Sequence, residues 1–349
     1  PTVDEPTIVD PAIPAPSIAT ESDSVQAAPS GATYAWIRVD DPDLGGEGNQ
    51  SINSISSVST GLVAVGEDRY SPAVWTSDDG LDWNRVTEAT GAFGPEQSPF
   101  GGDSRRWLLD VVERDGRLVA VGIDVLHRPG ESHVELDPAV KVMALWYSDD
   151  GSTWTRVPHD DDLFQLGSGP LRSDVRAIAT PTGFLAVGEA IWTSPDGESW
   201  TRADVPGAYI SDAIPTGTAI LAVGAAGPND EKEYREAAWY STDGTAWKSA
   251  GVETAPSFGG KFVAITAIGD GFLALGSESR RLVWFSPDGF TWAFRGGYGE
   301  NDGYAADQVY DILAVDDAIV VVGAREAYLA TAATVWESTD GGFTWRVQE

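Results

Sequence analysis

Cysteine is absent from this chain. That excludes disulfide frameworks, thiolate nucleophiles and cysteine-based metal sites, and it neither requires nor forbids an oxidising compartment. Basic residues are scarce. Lys and Arg number 22 against 54 Asp and Glu, giving a formal net charge of -32 and a pI near 4.2. Nucleic acid and anionic lipid are therefore poor partners, because a protein neutralises their phosphates with Lys and Arg. Cations, basic partners and neutral sugars are the ligands such a surface admits. There is no run approaching the ~20 apolar residues of a membrane-spanning helix. Convincing helical periodicity is missing throughout, as are a Gly-x-Ser-x-Gly elbow and a phosphate loop.

What is present is glycine (39), tryptophan (14) and a hydrophobic fraction of 42%, ample material for a core in 349 residues. The first 32 residues are set apart: rich in Pro, Ala, Thr, Ser and acids, without an aromatic. A segment of that composition buries too little apolar surface to offset its ordering entropy. Residues 1–32 are expected to form a disordered linker that holds a domain away from an anchor or wall. The sequence starts at Pro1 rather than Met, so a removed signal peptide or lipidated leader is expected, with a secreted or cell-surface location.

Residues 33–349 are repetitive. Six times a Trp is followed by Ser two residues on, then Asp, Gly and a second Trp. The first three copies are Trp75, Ser77, Asp79, Gly80, Trp83; Trp146, Ser148, Asp150, Gly151, Trp154; and Trp192, Ser194, Asp196, Gly197, Trp200. The others are Trp239, Ser241, Asp243, Gly244, Trp247; Trp284, Ser286, Asp288, Gly289, Trp292; and Trp336, Ser338, Asp340, Gly341, Trp345. They hold twelve of the fourteen tryptophans, so Trp serves the scaffold and not a substrate platform. Upstream of each lies an apolar run ending in glycine, as in Leu62 to Gly66 and Leu118 to Gly122, and before that another β-like run. Each unit therefore offers four short strands punctuated by Gly, Asp and Pro turns. The fold class expected is all-β, a six-bladed β-propeller of four-stranded antiparallel blades. The blades fall near residues 50–87, 106–157, 173–203, 208–250, 261–296 and 307–348, with an extra N-terminal strand at 33–39. The Ser and Asp side chains are expected to satisfy backbone N–H groups of the hairpin between the third and fourth strands, which makes Asp79, Asp150, Asp196, Asp243, Asp288 and Asp340 structural.

These segments resemble the Asp-box, or bacterial neuraminidase, repeat. The last copy, Ser338-Thr-Asp340-Gly-Gly342-Phe-Thr344-Trp345, matches the family form throughout, and the other five are one residue shorter. The resemblance implies the propeller scaffold and, in its enzymes, sialidase chemistry: three arginines on the substrate carboxylate, a Tyr nucleophile primed by Glu, and an Asp acid/base. Gly61-Leu62-Val-Ala64-Val-Gly-Glu67-Asp-Arg69 echoes one family pattern. Yet the preceding strand has Ser51-Ile52-Asn53-Ser54 where an arginine belongs, and later inner strands offer Tyr209-Ile210 and Lys261-Phe262. A fixed guanidinium fork is poorly replaced by such residues.

Function is expected on the face of the long loops, residues 87–106, 123–142 and 158–172 above all. Candidate ligand-binding residues there are Arg105, Arg106, Arg172, Arg176, Arg280, Arg281, Arg325, Asp103, Glu189, Tyr304, Asp307 and Tyr310, suited to an anionic or sugar ligand or to loop-tying salt bridges. The three histidines, His127, His133 and His159, lie near Asp160, Asp161 and Asp162. Histidine with carboxylates could hold a transition metal, and the acidic run could hold Ca2+, although the spacing matches no metal motif and a solvated loop is the simpler reading. Taken together these features favour a non-catalytic binding propeller that recognises a glycan or protein partner. The alternatives are a glycoside hydrolase or lyase with unassigned carboxylates, and a purely structural role.

Overall fold

The computed structural model describes residues 39, 44, 50–68, 71–86, 92–93, 104–126, 140–166, 175–203, 205, 208–227, 234–254, 260–276, 282–297, 306–327 and 330–348. They form six antiparallel sheets, each with four consecutive strands in order, arranged as a six-bladed β-propeller. The inner strands, in chain order, are Gln50–Val58, Ser104–Arg114, Arg176–Thr180, Ala208–Pro215, Phe262–Ile268 and Ala306–Val315. Blade six owns its outer strand, Arg346–Gln348, which pairs Trp336 with Val347. Blade five gains a fifth strand, Gly251–Val252, running parallel to Thr291–Gly297. The N-terminal strand expected at 33–39 and the linker 1–32 lie outside the described residues, apart from Val39, which is in no strand.

The repeated turn works as its chemistry dictates. In each copy the Ser hydroxyl accepts the N–H of the turn glycine, at 2.7–2.9 Å. One oxygen of each Asp accepts two successive backbone N–H groups, as Asp150 does from Ser152 (2.8 Å) and Thr153 (2.6 Å). The second Trp donates its indole N–H to the turn glycine carbonyl, at 2.9–3.1 Å. Hydrogen bonds to the ionised form favour it. They hold Asp150 and Asp196 below the usual carboxylate range and bring Asp243 to about 2. The stability that these lowered groups contribute is present above the ordinary Asp pKa and lost as pH falls toward 2. Asp150→Ala should cost about 1 kcal/mol in denaturant unfolding, by removing the acceptor of two exposed N–H groups, while Asp150→Asn, which keeps an acceptor oxygen, should cost less.

The apolar runs end in glycine because the inner strand bulges over it. Register slips by one residue at 52/54, 108/110, 210/212, 262/264 and 309/311. A bulge bends the strand toward its partner, and a Cβ on Gly122 would collide with the Trp107 carbonyl. Gly122→Ala is therefore expected to lose about 2–3 kcal/mol, read as a lower denaturation midpoint at unchanged slope, since backbone must move to admit the methyl.

Between blades, apolar side chains interdigitate. Five buried clusters each join two neighbours: blades one and two, two and three, three and four, four and five, and five and six. Trp146, Trp192, Trp284 and Trp336 are fully buried within them. The sixth cluster comprises Ala64, Ala73, Trp75 and Trp83 of blade one, with Leu44 and Leu62 packed on it and, among the described residues, none of blade six.

Candidate functional site

One position of each inner strand lies twelve residues before the glycine that closes the next apolar run: Ser54, Asp110, Arg176, Asp212, Ala264 and Asp311. Register confirms their equivalence, because they pair with Val65, Val121, Val187, Val223, Leu275 and Val322. The bulge just before five of them turns this position toward its counterparts. Three carboxylates and one guanidinium thus converge at the centre of the ring.

Each group has definite partners. Asp110 is buried, and its Oδ1 accepts from the Ser54 hydroxyl (2.6 Å) and the Val111 N–H (2.9 Å). Its Oδ2 accepts from the Ala177 N–H of blade three (3.0 Å). Asp212 repeats this, with Ala213 N–H on Oδ1 and Ile265 N–H of blade five on Oδ2, both 2.9 Å. Arg176 of blade three donates to the Tyr310 carbonyl of blade six at 2.8 Å, and so bridges opposite sides of the ring. Burial is the largest influence on both acids and raises them, while Arg176 opposes it. Asp212, with the Asp311 charge adding to the upward push, reaches about 7. A carboxyl so placed can exchange a proton near neutrality.

Of the residues picked from the sequence, Arg176 and Tyr310 come together here. Arg106 goes elsewhere: its Nε meets Asp124 Oδ1 at 2.8 Å, and Arg156 meets Asp124 Oδ2 at 2.5 Å, all within blade two. Arg106 and Asp124 are 4% and 1% exposed, so this arginine is committed to the fold. Blade one repeats half of the arrangement in Arg85 and Asp68, 2.7 Å apart. Glu189 faces Lys141 of blade two across the seam to blade three; burial lowers the Lys141 pKa and the Glu189 charge opposes that. Arg105, Arg325 and Asp307 lie on strands whose side chains there are outside the described residues, and Arg172, Arg280, Arg281, Asp103 and Tyr304 lie wholly outside them.

The acidic run after blade two has a local job. Asp160 caps a four-residue helix, Asp161–Phe164, accepting the N–H groups of Asp162 (3.0 Å) and Leu163 (3.1 Å). This turn was not expected from the sequence; the Asp cap nucleates it, and Phe164 is buried in the seam of blades two and three. His159 is exposed beside it, while His127 and His133 are outside the described residues. Among the described residues no group of three or more His, Asp or Glu is placed to hold a metal ion. The ring of Asp110, Asp212 and Asp311 was missed in the sequence, although its constant spacing from the glycine was there to be read.

No family model matches the chain, and no curated protein matches it. Solved structures similar to it include YCF48 bound to D1 peptide, at 16% identity and TM-score 0.49 over 86% of this chain and 82% of that one. Another is Trypanosoma rangeli sialidase in complex with the inhibitor DANA, at 14% identity and TM-score 0.46, covering 84% of this chain and 55% of that one. A third is Penicillium chrysogenum alpha-L-arabinanase complexed with arabinobiose, at 13% identity and TM-score 0.43, covering 83% and 78%. The chain spans about half the length of the trypanosomal sialidase. At such identities and scores the likeness carries no argument about chemistry. No helix among the described residues is long and apolar enough to cross a membrane.

Proposed function

We propose that this chain is a secreted or cell-envelope binding propeller, which takes a glycan or a protein segment on its long-loop face and does not turn it over. The observation behind this reading is how the central charges are spent. Asp110 and Asp212 each use both oxygens to tie their own strand to the next blade. Arg176, the arginine at the ring position, is occupied with the Tyr310 carbonyl. Gripping a substrate carboxylate in the sialidase manner needs several fixed guanidinium groups pointing at one place, and Arg106 is locked on Asp124 instead. The rigid ring then acts as a platform, and loops carried on such a platform supply recognition. With a net charge of -32, basic or neutral ligands are favoured, and binding of a basic segment should weaken as salt rises. A glycan-array and basic-peptide screen on the full chain, with calcium and with chelator, tests this. Retention of a ligand supports the reading, and loss of retention in chelator would bring the acidic loops of blade two into it. Failure to retain any glycan or peptide would remove its basis.

A second reading is favoured by one observation, the Asp212 carboxyl at about 7. A carboxyl that exchanges its proton near neutrality can serve as the general acid of glycoside hydrolysis. If Asp212 were a general acid, Asp212→Asn would abolish product formation while leaving ligand retention intact. If it is a tie between blades, Asp212→Asn should change only stability. Its raised pKa contributes stability that is full below the ordinary Asp pKa and lost as pH rises through about 7, so the variant's melting temperature should decline less over that window than the wild type's.

A further inference from the structure

The two central carboxylates just described latch one blade to the next, and they alternate. Asp110 of blade two holds the Ala177 N–H of blade three, and Asp212 of blade four holds the Ile265 N–H of blade five. Asp311 of blade six is the third member of this series, and its counterpart is the Ile55 N–H of blade one, the residue equivalent to Ala177 and Ile265 in register. Asp311 keeps the bond to the N–H of its own neighbour Ile312, at 2.9 Å, as Asp110 and Asp212 do, but among the described residues it has no cross-seam bond matching theirs. The walls on either side agree with this. Ile52 and Ile55 are 39% and 53% exposed, whereas Leu108 and Val111, which hold the same positions in blade two, are 0% exposed. Across the seam Leu313 is 60% exposed, and Val322 and Val335 are half-buried where Leu275 and Val283 of blade five are fully buried.

We propose that the seam between blades six and one is a slot for the chain's own N-terminal arm, with residues 33–38 wedged between the two walls. Leu44, which follows the arm in sequence, packs on Ala64, Ala73, Trp75 and Trp83 of the blade-one wall. Trp36 lies eight positions before Leu44, an extended reach of ~26 Å, enough to run along a nine-residue strand such as Gln50–Val58. The arm reads Tyr34-Ala35-Trp36-Ile37. In an extended chain Tyr34 and Trp36 face one way and Ala35 and Ile37 the other. A strand apolar on both sides is the kind that lies between two apolar layers. Blade six needs no strand from the arm, because Arg346–Gln348 already completes its sheet. The arm acts as a wedge between sheets and not as a member of one.

The absence of native cysteine makes the test clean. In the full chain, Leu313→Cys would be combined in turn with Tyr34→Cys, Ala35→Cys, Trp36→Cys and Ile37→Cys, and separately with Ile55→Cys. Disulfides form only when the Cα atoms lie within ~7 Å. Mild oxidation is expected to consume both thiols in at least one arm pair while the protein stays monomeric, and to leave the Ile55 pair reduced. Three results would each overturn the proposal: closure of the Ile55 pair within one chain, which means the blades meet directly; a disulfide-linked dimer from Leu313→Cys alone, which means a second copy fills the slot; or free thiols in all four arm pairs.

Discussion

Replacing Asp124 by alanine is expected to cost about 3–5 kcal/mol of folding stability, because it strips a buried counter-ion from two arginines at once. Asp124 is 1% exposed and touches Arg106 at 2.8 Å and Arg156 at 2.5 Å, with side chains 4% and 10% exposed. The variant must bury an uncompensated positive charge or swing blade two open to water. Arg156 also lies over the Trp146 ring, 5.5 Å from its centroid, so its displacement would disturb the seam with blade one. Blade one supplies an internal comparison. Asp68→Ala removes the equivalent carboxylate, but Arg85 is 32% exposed and can rehydrate, so the loss there should be well under half as large. A loss within about 1 kcal/mol for Asp124→Ala would show that the triad is hydrated and the accounting of burial wrong.

Arg176→Met is expected to lose about 3 kcal/mol at pH 8 and roughly half of that at pH 5. Arg176 lowers the pKa of both Asp110 and Asp212 against the upward push of burial. Without it both carboxyls rise further, and Asp212 starts from about 7. At pH 5 Asp212 is protonated in the folded chain and feels little from the loss. At pH 8 the wild type holds an ionised Asp212 near the Arg176 cation, and the variant must either keep that charge without the cation or take up a proton. A group with a raised folded pKa stabilises at low pH and ceases to do so as pH rises through that value, which fixes the sign. Urea unfolding at the two pH values measures it. Equal losses at both would mean that Arg176 acts only through its bond to the Tyr310 carbonyl.

Much of this fold is legible in the sequence because its constraints are local. The turn from Ser148 to Trp154 is closed by its own side chains, so residue type and spacing specify it without reference to the remaining chain. Gly66, Gly122 and Gly224, which end three of the apolar runs, are likewise dictated by the neighbouring inner strand one hairpin away. The central site was harder to see because its members are separated by whole blades: Arg176 meets Tyr310 across 134 residues. Arg106 illustrates the same point from the other side. Its neighbour Arg105 looks equivalent in sequence, but strand alternation and pairing with Asp124 decide which way Arg106 points. Asp160 reads as a ligand in an acidic run, and only the chain path after it reveals a helix cap.

The measurement that bears most directly on the central claim is a product assay on every glycan retained by the full chain, run beside Asp212→Asn. The account predicts retention with no released sugar from either protein, the variant differing only in its stability across pH. Release of product by the wild type, abolished in Asp212→Asn, would contradict it and make the central carboxylates catalytic.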